Sequence, residues 1–476
     1  MPLSLYPFSI LRMPPTVTTP RSRNAILELL ASPIVSKSYK AFLLAYIYTT
    51  LPKVVSVLAQ HRRDPAKALP KIQHILVRAG HRDKLPFFFG TLLLVYHAVM
   101  RGLQRNRAMA ANKHGQVAGL VAAGAALVSY SLYKHAIRGS KTSAEVRAKR
   151  QDNISSELTA TVLARALDSI LRPVLAGTLA LQPLRPIGDV LLFTASCYVI
   201  MFTWFYYPQR MQARYARWIT AVADMDTELL EALRAIKQGR LIYGEKPLPP
   251  RESATHPSPP DADHLLGPMC LRYSQDPELG NTGITVPIPC YLVHATVSHN
   301  CEVHAAWRFW RGFKTGFLYI YLPLNLLLSL KRLKAARGSR TNLGRIVADL
   351  VRNSATSAAF LGSFIMLNWY CVCLARTRLG PKLFPRATAQ QLEDTWGPGL
   401  GSALCGLSVG LESPHRQPEL SLFVFSKAID ILALPQKFGS QYPGLDTLLF
   451  SLALGTLVQR KDNVKGYFGK LIKSMF

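Results

Sequence analysis

Glu157-Leu158, Val162, Arg165-Ala166-Leu167 and Asp168 lie in one run of this chain. Glu419-Leu420, Val424, Lys427-Ala428-Ile429 and Asp430 repeat that run at the same spacing, without a gap. Each copy is followed by a proline and then by an aspartate that opens an apolar run. The first has Pro186 and Asp189-Val190-Leu191-Leu192-Phe193; the second has Pro443 and Asp446-Thr447-Leu448-Leu449-Phe450. An internal repeat decides an architecture before any single motif does. Both copies lie in apolar sequence, so the expectation is a duplicated membrane domain.

Other landmarks keep the same order in both halves. Lys40, Tyr46-Ile47-Tyr48 and Pro52 correspond to Lys314, Tyr319-Ile320-Tyr321 and Pro323, and Leu76-Val77-Arg78 corresponds to Leu350-Val351-Arg352. Apolar periodicity predicts helices over 41–60, 86–104, 115–134, 157–183 and 187–207, and again over 313–330, 356–376, 397–412, 417–434 and 444–459. Several have the roughly 20 residues that cross a bilayer, where each backbone polar group must be bonded within its own segment. The expected fold is therefore all-α, a polytopic integral membrane protein with two related halves of four to five helices each. The fourth helices are short and charged, so four crossings with an interfacial helix is the alternative to five. The expected organisation is an N-terminal tail at 1–35, a first repeat at 36–207, a linker at 208–289, a Cys/His segment at 290–312, a second repeat at 313–460 and a basic tail at 461–476. The linker combines a basic amphipathic stretch, Tyr207 to Gly244, with the proline tracts Pro247-Leu248-Pro249-Pro250 and Pro257-Ser258-Pro259-Pro260. That composition predicts partial disorder.

The chain of 476 residues carries 57 Lys and Arg and a formal charge of +30, yet is 49% hydrophobic. The cations gather between the apolar runs, at Arg62 to Lys84, Arg101 to Lys113, Lys134 to Arg150, Lys331 to Arg352 and Arg460 to Lys473. Cations so placed anchor helices and attract anionic headgroups. A nucleic-acid reader would show base-reading motifs on a soluble domain, and none is visible. Arg12, Arg21 and Arg23 precede the first acid, Glu28, a faint presequence-like bias; Lys473-Ser474-Met475-Phe476 is not a standard peroxisomal address.

The third helix of each half is glycine-rich, through Gly115, Gly119 and Gly124 and through Gly397, Gly401, Gly406 and Gly410. Such small-residue stripes let helices approach closely in lipid. Arg165 with Asp168, and Lys427 with Asp430, share a helical face and are either a polar groove or a structural ion pair. Asp189 and Asp446 read as helix caps. Cys290, His294, His299, Cys301 and His304 are the densest set of potential metal ligands, for zinc or, through the thiols, a disulfide, although their spacing matches no common finger. The usual hydrolase, nucleotide-binding and metalloprotease motifs are missing, which lowers the expectation of catalysis. No catalytic residue is assigned and no cofactor is expected.

The run from Cys290 through His294, His299 and Cys301 to Phe313-Lys314 and Tyr319-Ile320-Tyr321-Leu322-Pro323 resembles the cysteine-rich segment of the transmembrane protein 135 family. Ala359-Phe360-Leu361-Gly362-Ser363-Phe364, Ser426-Lys427-Ala428-Ile429-Asp430 and Asp446 to Phe450 follow in the family's order, and Pro186 to Phe202 resembles its first-half counterpart. Where the family has His-Pro-Ser-Cys, this chain has His299-Asn300-Cys301. The resemblance implies a membrane protein of mitochondria or peroxisomes, related in its glycine-rich helices to the inner-membrane protein translocases. It implies roles in fission balance and in lipid or sterol handling, as a carrier or scaffold. The partners it suggests are the bilayer and its anionic lipids and organelle-division or import proteins; a homo-oligomer is compatible, and no nucleic acid is expected. A translocase-like import component and a membrane enzyme with a Cys/His metal site are the alternatives.

Overall fold

A computed structural model describes residues 33–61, 65–105, 114–138, 144–178, 186–250, 264–335, 340–433, 444–464 and 466–476. The N-terminal tail up to residue 32, Pro257-Ser258-Pro259-Pro260 and Pro443 lie outside the described residues. Every regular element among the described residues is helical. The principal helices are α1 (Pro33–Gln60), α2 (Pro65–Ala79), α3 (Leu85–Arg105), α4 (His114–Arg138), α5 (Ala144–Gly177), α6 (Gly188–Tyr206), α7 (Ala213–Ala223), α8 (Thr227–Lys237) and α9 (Gly267–Arg272). They continue with α10 (Cys290–Val293), α11 (Cys301–Thr315), α12 (Leu322–Ala335), α13 (Arg340–Cys373), α14 (Gly397–Leu404), α15 (Gln417–Ala433), α16 (Leu445–Gln459) and α17 (Gly466–Met475). π-Helical turns at Gly316–Tyr321 and Leu374–Arg378 extend α11 into α12 and α13 towards Arg378.

Six helical stretches among the described residues are long and apolar enough to cross a membrane: Ile34–Gln60, Leu85–Gln104, Gly115–Ile137, Gly188–Tyr206, Cys301–Leu330 and Leu343–Arg378. Their outer faces are apolar: Tyr48, Leu51, Val55 and Leu58 of α1 and Leu326, Leu327 and Leu328 of α12 are exposed. Stripes of that kind would be a liability in water and are solvated by lipid tails in a bilayer. The protein is a polytopic all-α membrane protein. The remaining apolar stretches are shorter or charged. The expected 397–412 helix changes to a 3₁₀ turn at Cys405, α15 has 17 residues and α16 has 15.

The chain packs as two compact units, and they do not coincide with the two sequence repeats. The first unit comprises Met1–Asp152 with Gly444–Phe476. Within it α3 lies between α1 and α4, and α16 lies along α4. Phe88, Tyr130 and Phe450 form its aromatic centre, with Tyr130 and Phe450 stacked at 4.8 Å. Lys134 pairs with Asp446 at the start of α16. At the crossing, a Cβ on Gly119 would stand 2.9 Å from the Gly455 carbonyl, and one on Gly455 would stand 2.8 Å from the Gly119 carbonyl. The fifth helix of the second repeat thus belongs to the packing of the first-half helices.

The second unit, Asn153–Pro443, makes the reverse exchange. Here α6, the fifth helix of the first repeat, packs on α14, on the 3₁₀ turn after it and on α15, while α11 packs along α13. The described parts of the segment expected to be a linker, together with the residues up to 300, fold into a cap, residues 207–250 and 264–300. Leu229, Ala232, Ile236, Leu241, Leu266 and Met269 are part of its core, which closes on Trp369 of α13. The proline-rich composition concealed apolar residues whose helical spacing on α8 and α9 is enough to bury a core. Arg234 fastens the cap to the end of α6, donating to the carbonyls of Phe205 and Trp204 at 2.8 and 3.0 Å. A guanidinium there satisfies carbonyls that the helix end leaves without partners.

Candidate metal centre

The cap meets the membrane helices at a cluster of thiols and one imidazole. Pro289 precedes the one-turn helix α10, so Cys290 and His294, four residues apart, project on the same side. Cys301 is the first residue of α11, fixed there by its N-cap: the Asn300 side chain accepts the amides of Glu302 and Val303. Cys373 ends the α-helical part of α13, immediately before the π-helical turn that re-aims the chain. Because α11 and α13 run antiparallel, the first residue of one helix faces the last of the other. Close contact between them is made possible by glycine, since a Cβ on Gly362 would stand 2.8 Å from the Phe309 carbonyl. The donor atoms of Cys290, His294, Cys301 and Cys373 all lie within 4.8 Å of one another, with Cys290 half-buried and the other three buried.

Hydrogen bonding fixes the histidine tautomer. His294 Nδ1 lies 2.8 Å from the Ser298 carbonyl, and because a carbonyl only accepts, the ring proton sits on Nδ1. Nε2 therefore presents its lone pair to the thiols, 3.3 Å from Cys373 Sγ. The loop that returns Ser298 to His294 carries Ala295 and Thr296 in the left-handed region, at φ 52° and 58°. Two such residues without glycine cost on the order of 1 kcal/mol each, strain of the sort concentrated at functional sites. The hydrogen bond from Cys373 and then, against burial, the positive field of Arg376 hold the Cys290 thiol below its ordinary value. Burial holds the His294 imidazole below its ordinary value.

The sequence-derived ligand set is corrected in both directions. His299 stands apart, exposed and stacked on Tyr291 at 3.9 Å. His304 is buried and stacks on His294 at 4.2 Å, but its Nε2 accepts the Arg308 Nε–H at 3.0 Å, so that lone pair is already in use. Cys373 takes their place. A lone cysteine in an apolar helix resembles a small hydrophobe; the antiparallel pairing of a helix that starts at Cys301 with one that ends at Cys373 is the signal that finds it. Two buried arginines were also missed. Arg376 pairs with Glu393 at 2.6 Å and donates to the Ile288 carbonyl at 2.6 Å, holding the strand of chain that leads into Cys290. Arg308 lies 4.1 Å over the Trp369 ring and donates to the Asp224 carbonyl at 3.2 Å.

The repeated charges are not a groove lined by unpaired groups. Arg165 pairs with Glu419 at 2.6 Å, and Lys427 pairs with Glu157 at 2.6 Å. These are corresponding residues of the two repeats, so α5 and α15 exchange the same ion pair twice, as an antiparallel pair related by a local two-fold would. Ala160, Ala164 and Ile429 are buried between them. Asp168 accepts from Arg172, which also reaches Asp189 at 3.0 Å; Asp430 accepts from Gln212 at 3.1 Å. The helix-cap assignment needs a correction as well. Ile187 and Gly444 hold the cap positions, while Asp189 and Asp446 occupy the first turns and pair with Arg172 and Lys134. Among the packing glycines, Gly401 and Gly406 are at contacts that leave no room for a side chain. A Cβ on Gly401 would stand 2.6 Å from the Asn368 carbonyl, and one on Gly406 would stand 2.5 Å from Thr194 Cα. Gly397 is tight at 3.1 Å and Gly115 is in ordinary contact, whereas Gly124 and Gly410 face open space.

No protein-family model, curated protein or solved structure matches this chain.

Proposed function

We propose that this chain is an integral membrane protein of mitochondria or peroxisomes that serves membrane homeostasis, as a scaffold in preference to a carrier. The organelle, and the link to fission balance and lipid or sterol handling, rest on the ordered resemblance to the transmembrane protein 135 family. The observation that carries the scaffold reading is the reciprocal clasp of α5 and α15, Arg165 with Glu419 and Lys427 with Glu157. A carrier that moves a polar group across the bilayer needs charge that faces its path. Here the repeated cations are occupied in joining one repeat to the other. Anionic lipid headgroups are the counterpart of the basic segments between the membrane helices. Organelle-division proteins are the protein partners this reading expects.

The test neutralises the clasp and keeps its shape. Arg165→Gln with Glu419→Gln is expressed at natural abundance and followed by organelle imaging, recovery of bound proteins and lipid transfer between reconstituted vesicles. A scaffold keeps its partners and organelle morphology and shows no transfer attributable to the clasp. Lipid transfer by the wild-type protein that the double variant loses at equal abundance overturns the scaffold reading in favour of a carrier. Recovery of small import chaperones and preproteins in place of division factors overturns it in favour of a translocase component.

A further inference from the structure

We infer that Cys290, His294, Cys301 and Cys373 hold one zinc ion, and that this ion staples the cap to the adjoining ends of α11 and α13. Tetrahedral zinc with Zn–S of about 2.3 Å and Zn–N of about 2.0 Å sets its donors roughly 3.5–3.8 Å apart. The four donor atoms lie within 4.8 Å of one another, and the His294 to Cys373 separation is 3.3 Å, so small side-chain rotations bring the set onto a tetrahedron. Three thiolates and an imidazole are soft and borderline donors, which select zinc over magnesium or calcium.

Two features distinguish a metal site from a chance gathering of cysteines. The first is the outer hydrogen bond: a ligating imidazole ordinarily donates its far N–H to a carbonyl, as His294 Nδ1 does to Ser298 at 2.8 Å. A disulfide would join two sulfurs, leaving the third thiol and the aimed Nε2 without a role. The second is charge. Zinc with three thiolates carries a net negative charge, and the buried Arg376, bonded to the Ile288 carbonyl two residues before Cys290 and also paired with Glu393, is the neighbouring cation. Four protein donors fill the tetrahedron and leave no open position, which makes the ion structural and not a hydrolytic centre. The helices α11 and α13 already pack through Gly312 and Gly362, so the element that gains a tether is the cap.

The inference is independent of the scaffold reading and has its own test. The full chain, carrying a tag that binds no metal, is purified in detergent under reducing conditions without chelator, and its metal is measured by mass spectrometry. About one zinc per chain is expected in the wild type and in His299→Ala, and less than about a tenth in Cys373→Ser and His294→Gln. A variant can lose metal by misfolding, so the wild-type protein is also stripped with a chelator and reloaded with Co²⁺. The expected result is one equivalent of cobalt with tetrahedral ligand-field bands, and joint protection of Cys290, Cys301 and Cys373 from alkylation. Three outcomes overturn the inference: wild-type protein below about a tenth of a zinc after Zn²⁺ is supplied, cobalt spectra of octahedral type, or zinc loading unchanged in Cys373→Ser.

Discussion

Between α5 and α15 the chain is joined by two ion pairs that the sequence repeats as one motif. At the cap it is joined by three thiols and an imidazole drawn from three separate segments. The first clasp is symmetrical, with Glu157 42% and Glu419 25% exposed on their side chains. The second has no counterpart in the first repeat, and three of its four members are buried. Partly exposed ion pairs contribute about 0–1 kcal/mol each, because the attraction is offset by desolvation and side-chain ordering. A structural zinc contributes on the order of 10 kcal/mol to the folding of the segment it closes. The two clasps therefore have different tasks. The ion pairs set which repeat faces which, and the thiol cluster fastens a small domain that would otherwise be marginal.

The largest effect to break that comparison comes from removing the metal. Chelation is expected to raise hydrogen exchange in α8, α9 and α10 by at least about a hundredfold while α5 and α15 stay protected. Equal deprotection of both regions would mean the cluster does not act locally. Next comes glycine packing. Gly401→Leu drives a side chain into the Asn368 carbonyl and is expected to cost about 3 kcal/mol or more, measured by thermal unfolding in detergent. The ion-pair clasp follows. Arg165→Glu or Glu419→Arg alone is expected to cost about 1 kcal/mol, and the double reversal recovers most of it, the coupling being read from the mutant cycle.

Cys270 gives a pH-dependent check on the cap core. Burial pushes its thiol up to about 11, so it is expected to resist alkylation at pH 8 in the folded protein. A thiol raised on folding holds its proton more tightly in the native state. Its contribution to stability is therefore complete below the unfolded thiol's pKa and is lost as pH rises from there towards 11. Labelling of Cys270 at the rate of a free thiol would contradict the packing around Met269 and Leu266. The smallest effect is expected from Gly124→Ala, which meets no neighbour within 4 Å and should change stability by less than about 0.5 kcal/mol.

How far the sequence could be read depended on whether the signal was local. The apolar runs of α1, α3, α4, α6, α12 and α13 are continuous in sequence, so length and polarity were enough to place most of each, whereas α11 lies in the expected Cys/His segment and was not placed. Glycine spacing predicted close approach at Gly119, Gly401 and Gly406, but the same spacing also includes Gly124 and Gly410, which face open space. Spacing along a helix gives a face, and only the partner helix shows which part of that face is covered. The cap was misread for a related reason. Its core residues are divided between α8, α9 and α10, and no single window holds enough of them to outweigh the prolines.

The repeat by itself determined that the chain contains two related sets of helices with matching charges at Arg165 and Lys427 and at Glu157 and Glu419. It also determined that cysteine and histidine gather where the second set begins. Tertiary structure decided what those residues meet. It paired each repeated cation with the acid of the other copy, exchanged the fifth helices between packing units and substituted Cys373 for His299 and His304. The physical reason is the same in each case. A helix periodicity specifies the direction of a side chain about its own axis, whereas an ion pair, a glycine contact or a ligand set is a distance between axes. Those distances are fixed only when all the helices have packed.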